Sequence, residues 1–198
     1  MNRYLVIHPD RCIGCRTCEA ACVGVHREAG LQSVPRLTVV ETKRVTAAVM
    51  CRHCESAPCL AVCPTGVISR VEGVVRVDEQ RCIGCKMCSI ACPYGAMSPS
   101  GTSIAGVEGV CYKTPAHPGS LSPLLAWEIG VATCAVKCDL CIGLSKIPRC
   151  VDVCLTGALT LVDQGDIDEC VRDKKYRAAE ELESVSVECS KGRGSQWV

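Results

Sequence analysis

Sixteen of the twenty cysteines in this chain of 198 residues fall into four groups of four. The first and third groups have the spacing C-x2-C-x2-C-x3-C, and the second and fourth widen the middle gap to four and eight residues. Both insertions leave the C-x2-C turn unchanged, so the groups form an internal repeat. The members are Cys12, Cys15, Cys18, Cys22; Cys51, Cys54, Cys59, Cys63; Cys82, Cys85, Cys88, Cys92; and Cys138, Cys141, Cys150, Cys154.

This spacing is typical of cubane iron–sulfur clusters. A cubane needs four thiolates at the corners of a tetrahedron, and C-x2-C-x2-C places three of them around one cluster. In the bacterial two-cluster arrangement, the fourth cysteine faces away and ligates the neighbouring cluster. The run from Cys82 to Pro93 matches C-x2-C-x2-C-x3-C-P in full. The groups predict four [4Fe–4S] clusters as cofactors, with the sixteen cysteines as metal ligands and no catalytic residue.

Structural zinc and a secreted disulfide scaffold are the alternatives. Zinc sites use pairs of C-x2-C, or C-x2-C with distant histidines, and do not require three cysteines at successive x2 spacing. The segment from Met1 to His8 leads straight into a cysteine run, without an apolar secretion signal or a twin-arginine signal, so we expect a reducing compartment. Both alternatives therefore rank below iron–sulfur clusters.

The composition agrees with a fold organised by inorganic cofactors. The chain has no Phe, two Trp and four Tyr, too few large rings to fill an ordinary core. The formal charge is +1, and four clusters at −2 each would bring it to roughly −7, which argues against a nucleic-acid partner. The apolar stretch from Leu121 to Ala135 is broken by Pro123 and Glu128, so no transmembrane segment is expected. These features predict a cytoplasmic protein and leave docking on the cytoplasmic face of a membrane complex open.

Short elements are expected around the cysteine groups. The β-branched runs within Val67 to Asp78 predict a hairpin, and short strands are expected at Arg3 to His8 and Leu159 to Val162. The residues around Cys18 to His26 and Cys92 to Met97 suit short helices.

The remaining segments are a connection and a tail. Residues 98–133 are rich in Ser, Gly and Pro and predict a long connection. Residues 166–182 predict a charged helix with Asp166 as N-cap, either lying on its own domain or docking a partner, and the chain past Ser184 is expected to be mobile.

Several residues near the groups are ambiguous. His53 is expected to be a half-exposed residue that is not a ligand, because four cysteines complete its group. Ile13, Ile83 and Ile142 are expected to shield ligands. The cysteines outside the groups are expected to be buried or free thiols, although Cys134 could substitute for a nearby ligand; they are Cys111, Cys134, Cys170 and Cys189. The cations that could offset cluster charge, or equally be solvated, are Arg16, Arg52, Arg81, Lys86 and Lys137.

A set of motifs carries a resemblance to a known family, and its opening residues and the segment from Leu31 to Leu37 are more specific than the cysteines. The motifs are Met1-Asn2-Arg3, Cys12-Ile13-Gly14-Cys15, Cys18-Glu19-Ala20-Ala21-Cys22, Gly30-Leu31-Gln32-Ser33 with Pro35-Arg36-Leu37, His53-Cys54-Glu55 with Ala57-Pro58-Cys59, and Ala135-Val136-Lys137-Cys138-Asp139-Leu140-Cys141. With them the chain resembles the four-cluster iron–sulfur subunits of formate hydrogenlyase and hydrogenase-4 complexes. A broader group of ferredoxin-like subunits of molybdopterin oxidoreductases shares the cysteines.

The resemblance implies an α+β fold of two bacterial-ferredoxin-like, two-cluster halves. The outer half would comprise residues 1–30 and 134–165, the inner half 46–97, and a helical tail 166–198. The fourth ligands would be exchanged within each half. Cys12, Cys15 and Cys18 would take Cys154; Cys138, Cys141 and Cys150 would take Cys22; Cys51, Cys54 and Cys59 would take Cys92; and Cys82, Cys85 and Cys88 would take Cys63.

The implied role is electron transfer in anaerobic metabolism. The resemblance implies a non-catalytic subunit between a catalytic molybdopterin subunit, a molybdenum or tungsten formate dehydrogenase, and a hydrogenase or further iron–sulfur subunits. Partnership with an aldehyde oxidoreductase and a free polyferredoxin shuttle are alternatives. An enzyme with a reactive cluster ranks last because all four groups are complete, and the sequence contains no P-loop, dinucleotide-binding fingerprint or nucleophile–base set.

Overall fold

The computed structural model describes residues 3–102 and 133–192, and in them the chain forms an α+β fold of short elements. The strands pair two by two into small antiparallel sheets, as the predicted fold class requires. In chain order the elements are β1 (Arg3–Ile7), a 3-10 turn (Pro9–Arg11), α1 (Thr17–Glu28), β2 (Leu37–Glu41), β3 (Thr46–Met50), α2 (Pro58–Ala61), β4 (Ile68–Val71), β5 (Val74–Val77), α3 (Met87–Ala91), β6 (Ser98–Thr102), β7 (Thr133–Val136), α4 (Arg149–Asp152), β8 (Leu159–Asp163) and α5 (Gln164–Gly192).

The first and last cysteine groups are brought together by β1 and β8. These two predicted strands are confirmed, and they pair antiparallel from Arg3 opposite Asp163 to Ile7 opposite Leu159. Helix α1 packs against α4, and the alternation of each strand buries Leu5 and Leu159 beneath them.

The two central cysteine groups flank the hairpin of β4 and β5. The predicted hairpin is confirmed, and its turn residues Glu72 and Gly73 have φ of 50° and 81°. Two successive positive φ values are typical of the type I′ turn that matches strand twist. Val74 and Val75 are buried, and α2 packs against α3.

Two further strand pairs were not expected from the sequence. Strands β2 and β3 pair from Leu37 opposite Met50 to Glu41 opposite Thr46. Strand β6 lies in the segment assigned to the Ser/Gly/Pro-rich connection, yet Ser98 pairs with Val136 and Thr102 with Thr133. The rest of that connection, residues 103–132, lies outside the described residues.

The prediction of a helix at Cys92 to Met97 is wrong, whereas the helix predicted at Cys18 to His26 is confirmed as α1. Helix α3 ends at Ala91, and Cys92 is extended with φ −76° and ψ 113°. The ring of Pro93 disfavours the helical conformation at the preceding residue, which accounts for the end of the helix.

Helix α5 starts earlier and ends later than predicted. The N–H of Asp166 donates to Asp163 Oδ1 at 3.1 Å, and the N–H of Asp163 donates to Asp166 Oδ2 at 2.9 Å. Asp163 is therefore the N-cap and Asp166 its reciprocal partner, as in a capping box. The helix continues past Ser184, where we expected a mobile segment, to Gly192. No described helix is long and apolar enough to cross a bilayer.

The buried core is divided into clusters that contain cysteines. One joins β1, β8 and the β2–β3 hairpin to Cys22, Cys138 and Cys150. Another joins the β4–β5 hairpin, Met97 and Ala135 to Cys88. Sulfur occupies positions that aromatic rings fill in ordinary cores, in line with the low aromatic content.

Candidate metal centres

The four cysteine groups form four loops with one backbone design, numbered loop 1 to loop 4 in chain order. In each loop the residue before the second cysteine has a left-handed backbone: Gly14 at φ 73°, His53 at 48°, Gly84 at 67° and Leu140 at 57°. At Gly84 a side chain is also excluded by space, since an added Cβ would lie 2.4 Å from the carbonyl oxygen of Thr133. The C-x2-C turn is thus repeated although only two loops have glycine there.

The third and fourth cysteines are positioned by helices α1 to α4. The third cysteine is the second helical residue in every loop: Cys18, Cys59, Cys88 and Cys150. The fourth follows four residues later, about one helical turn along. After Cys63, Cys92 and Cys154 the chain turns through a left-handed glycine, whose N–H donates to the carbonyl of that cysteine at 3.1–3.3 Å.

Three cavities are each lined by three cysteines of one loop and the fourth cysteine of another. Their volumes, partly open to solvent, are similar at about 380, 360 and 410 Å³. We name them site 1 (Cys12, Cys15, Cys18 and Cys154), site 2 (Cys51, Cys54, Cys59 and Cys92) and site 3 (Cys82, Cys85, Cys88 and Cys63). These are the sets that the resemblance implied.

The remaining candidate ligands, Cys138, Cys141, Cys150 and Cys22, are all buried, and we name them site 4. Cys22 lies on α1 and Cys150 on α4, which pack together. Burial, together with the nearby thiols of Cys22 and Cys141, raises the pKa of Cys150 to about 12. Cys22, Cys138 and Cys150 also belong to one buried cluster of the core.

The donor set fits an iron–sulfur cofactor. Each site offers four sulfur atoms, and backbone N–H groups donate to ligand sulfurs at 3.4 Å: Ala135 to Cys82, His53 to Cys51, and Arg36 to Cys22. Such bonds stabilise thiolates and tune bound clusters.

Threonine hydroxyl groups lower the pKa of two ligand cysteines near the surface. The Thr17 hydroxyl donates to Cys15 Sγ at 3.4 Å and lowers the pKa of that thiol. At Cys154 burial raises the pKa, but the Thr156 hydroxyl and backbone donors outweigh it and the net pKa is lowered. Deprotonated sulfur, the form that binds metal, is favoured at these positions.

A buried ionic network next to site 4 was missed by sequence reasoning. His26 is fully buried, with Nδ1 2.7 Å from the Cys22 carbonyl oxygen and Nε2 3.1 Å from Asp139 Oδ1. Burial lowers the pKa of His26, but Asp139 outweighs it and the net pKa is about 9; the pKa of Asp139 falls to about 2. Asp139 also accepts the N–H of Cys141 at 2.9 Å. The ion pair therefore anchors loop 4 to α1.

Arg36 and Glu79 extend this network towards the inner cysteine groups. The Arg36 guanidinium pairs with Glu79 and lies 3.9 Å from Asp139 Oδ2. The position of Asp139 beside a ligand in Lys137-Cys138-Asp139 was the available signal in the sequence.

His53 is buried, not half-exposed as predicted. Only 2% of its surface is exposed, and its Nδ1 accepts the N–H of Val75 at 3.1 Å. Burial and Lys137 lower its pKa to about 3, so the ring is neutral with its proton on Nε2. The wrong prediction followed from the spacing alone, which does not reveal that β5 covers the ring.

The three isoleucines expected to shield ligands lie beside them: Ile13 and Ile83 line the cavities of sites 1 and 3, where they are 70% and 63% exposed, and Ile142 packs against the cluster that contains Cys138 and Cys150. Their shielding of bound clusters stays a prediction. Of the candidate cations, only Lys137 is buried, and the exposed ones are Arg16, Arg52, Arg81 and Lys86.

The cysteines outside the groups have different environments. Cys134 is buried on β7 and lines the site 3 cavity. It therefore does not replace Cys138 as a ligand of site 4, the substitution that the sequence allowed. Burial raises its pKa to about 12. Cys170 is exposed on α5, Cys111 lies outside the described residues, and the side chain of Cys189 is likewise not described.

Comparison with known proteins identifies the class first. Residues 42–105 match the family model described as "4Fe-4S dicluster domain", and residues 5–22 match the "4Fe-4S binding domain". The chain is therefore a ferredoxin-like protein of the [4Fe–4S]-binding class, which argues against the zinc and disulfide alternatives.

Relatives along the full chain narrow the class to a family. Hydrogenase-4 component A of Escherichia coli K12 is 42% identical over 187 residues, covering 90% of this chain and 91% of that protein. Formate hydrogenlyase subunit 2 of the same strain is 44% identical over 180 residues, covering 88% and 89%. Electron transport protein HydN is 39% identical over 186 residues, covering 90% and 98%. The chain belongs to this family of ferredoxin-type, non-catalytic electron-transfer subunits.

Proposed function

We propose that this chain holds four [4Fe–4S] clusters at sites 1 to 4 and relays electrons between a molybdenum or tungsten formate dehydrogenase and a hydrogenase. The observation that carries the proposal is the exchange of fourth cysteines between loops. It makes each site depend on a second loop, so sites 1 and 4 form one pair and sites 2 and 3 another. The corresponding halves are residues 1–30 with 134–165, and residues 46–97.

Helices fix the separation within each pair. Helix α1 carries Cys18 of site 1 and, one turn later, Cys22 of site 4. Helix α4 carries Cys150 of site 4 and leads to Cys154 of site 1. Helices α2 and α3 relate sites 2 and 3 in the same way. When bound, each cluster supplies a one-electron couple that needs no substrate pocket.

Burial supports the order 1, 4, 2, 3 for the path. Cys51 of site 2 packs against the core cluster that contains the site 4 cysteines Cys138 and Cys150. Site 4 is fully buried, whereas Cys15 of site 1 and Cys85 of site 3 are exposed. Electrons would therefore enter and leave at sites 1 and 3.

Exposed elements favour a subunit of a complex over a freely diffusing shuttle. The described α5 side chains from Asp168 to Leu182 are exposed, and Val171, Tyr176 and Leu182 are large apolar examples. The names of two relatives, formate hydrogenlyase subunit 2 and hydrogenase-4 component A, favour a complex of formate hydrogenlyase or hydrogenase type, and the resemblance adds a molybdopterin formate dehydrogenase as the partner that we propose. We propose a cytoplasmic location, with the complex at the cytoplasmic face of a membrane.

The test is anaerobic purification of the native protein with its bound partners. We expect about sixteen iron and sixteen sulfide per chain, together with molybdenum or tungsten in a co-purifying subunit. Sixteen iron on a solitary chain would favour the shuttle, and about eight iron would refute the four-cluster proposal.

A further inference from the structure

Lys137 is a buried cation without an anionic partner in the described residues. Only 3% of its surface is exposed. Its ammonium group donates to two backbone carbonyls, that of Val75 and that of Cys138, the latter at 2.6 Å. Among the described side chains, those of residues 3–99 and 133–182, no carboxylate lies within 4.0 Å of it, whereas the similarly buried Arg36 pairs with Glu79.

Such a charge is costly to bury unless something negative lies nearby. Lys137 lines the site 2 cavity and immediately precedes Cys138, a ligand of site 4. The ammonium group itself donates to the carbonyl of that site 4 ligand at 2.6 Å. The ammonium group therefore lies at the junction of the two sites.

His53 provides a second observation at the same junction. Its Nδ1 accepts the N–H of Val75, the residue whose carbonyl accepts from Lys137. Its buried Nε2–H has no hydrogen-bond partner within the described part of the chain. In the described residues the Lys137 ammonium has carbonyl acceptors but no carboxylate, and the His53 Nε2–H has no acceptor, which indicates that negative charge belongs beside them.

We propose that Lys137 is a tuning residue, a fixed positive charge shared by sites 2 and 4 that raises the reduction potentials of both. The proposal rests on the proposed function, since it requires clusters at these sites. Each reduction adds one electron, breaks no bond and increases the negative charge by one unit, so a nearby buried cation favours the reduced form. By raising both reduction potentials, Lys137 would keep those of sites 2 and 4 similar at the step where electrons cross from one half of the chain to the other.

The test is an anaerobic redox titration of the intact protein, followed by electron paramagnetic resonance, with Lys137→Met compared with wild type. At equal iron content we expect two of the four midpoint potentials to fall and two to remain. Lys137→Arg should restore the wild-type potentials. Lys146→Met is the matched control, because Lys146 is exposed in loop 4, and it should leave all four unchanged.

Two outcomes would overturn the inference: unchanged potentials in fully loaded Lys137→Met, or a shift confined to a single cluster. If Lys137→Met loses iron, Lys137→Gln replaces it, since an amide can still donate to the two carbonyls. If both neutral variants lose iron while Lys137→Arg keeps it, the charge itself is required. Loss in Lys137→Arg as well would assign Lys137 a steric role. Fewer than four clusters in wild type would instead refute the proposed function.

Discussion

Loops 3 and 4 contain the same C-x2-C turn in opposite surroundings. In loop 3, Cys85 and Lys86 are exposed, and Ile83 is 63% exposed. In loop 4, Cys141 is buried and Leu140 is only 3% exposed. The difference comes from segments that are distant in sequence, because the β2–β3 hairpin and β1 pack around loop 4. Ligand spacing therefore defines a site, and long-range packing decides whether it lies inside the path or at its end.

Loss of a ligand should have the largest effect and should separate the two loops. Cys150→Ser removes a buried ligand of site 4 and leaves a hydroxyl in an apolar cluster, so we expect loss of about four iron per chain together with a large loss of stability. Cys85→Ser at exposed site 3 should lose four iron or fewer with a smaller change in stability. Iron analysis and the anaerobic denaturation midpoint measure both. Equal loss of stability in the two variants would refute the contrast.

The exchange of ligands can be tested on α1 alone. Cys22→Ser should remove the site 4 cluster and spare site 1, whereas Cys18→Ser should do the reverse, because the two cysteines line different sites. Electron paramagnetic resonance of partially reduced samples distinguishes the two losses. Loss of the site 1 cluster in Cys22→Ser would contradict the assignment.

Replacing a glycine should cost more stability in the exposed loop 3 than in the buried loop 4, which is the reverse of the order that burial alone predicts. Gly84 in loop 3 has φ 67°, and an added Cβ would lie 2.4 Å from a backbone oxygen, so we expect Gly84→Ala to cost about 4 kcal/mol. Gly143 in loop 4 has φ 78°, and an added Cβ there would lie more than 4 Å from every described atom beyond its two chain neighbours, so Gly143→Ala should cost about 1 kcal/mol. Anaerobic urea denaturation compares them. A cost for Gly143→Ala as large as for Gly84→Ala would show that backbone strain alone decides.

Truncation of apolar side chains in the two turns should follow burial. Leu140→Ala opens a cavity beside site 4 and should cost about 3 kcal/mol. Ile83→Ala removes an exposed side chain and should change the free energy of unfolding by less than about 0.5 kcal/mol. The same urea experiment applies, and similar costs would mean that Ile83 is covered by other parts of the chain in solution.

The sequence predicted the ligands better than their surroundings. Local spacing specifies the C-x2-C turn, and Pro93 could have predicted the end of α3, but the burial of His53 depends on β5. Five cations near ligands were equivalent in sequence, and Lys137 is distinguished by its burial and by its hydrogen bond to the Val75 carbonyl, 62 residues away in the chain. The connection of loop 4 to α1 through Asp139 and His26 spans 113 residues of chain, so no local pattern contains it.

That connection also predicts a small effect, a pH dependence specific to loop 4. The pKa of His26 is raised from 6.5 to about 9, so its contribution to stability is complete below pH 6.5 and is lost as pH rises through 9. Asp139, with its pKa lowered to about 2, loses its contribution only as pH falls towards 2, outside this window. We therefore expect the protein to be about 1 kcal/mol less stable at pH 8 than at pH 7. The His26→Gln variant should lack this slope, and the Lys146→Met variant should retain it. An unchanged slope in His26→Gln would show that the ion pair does not control the stability of loop 4.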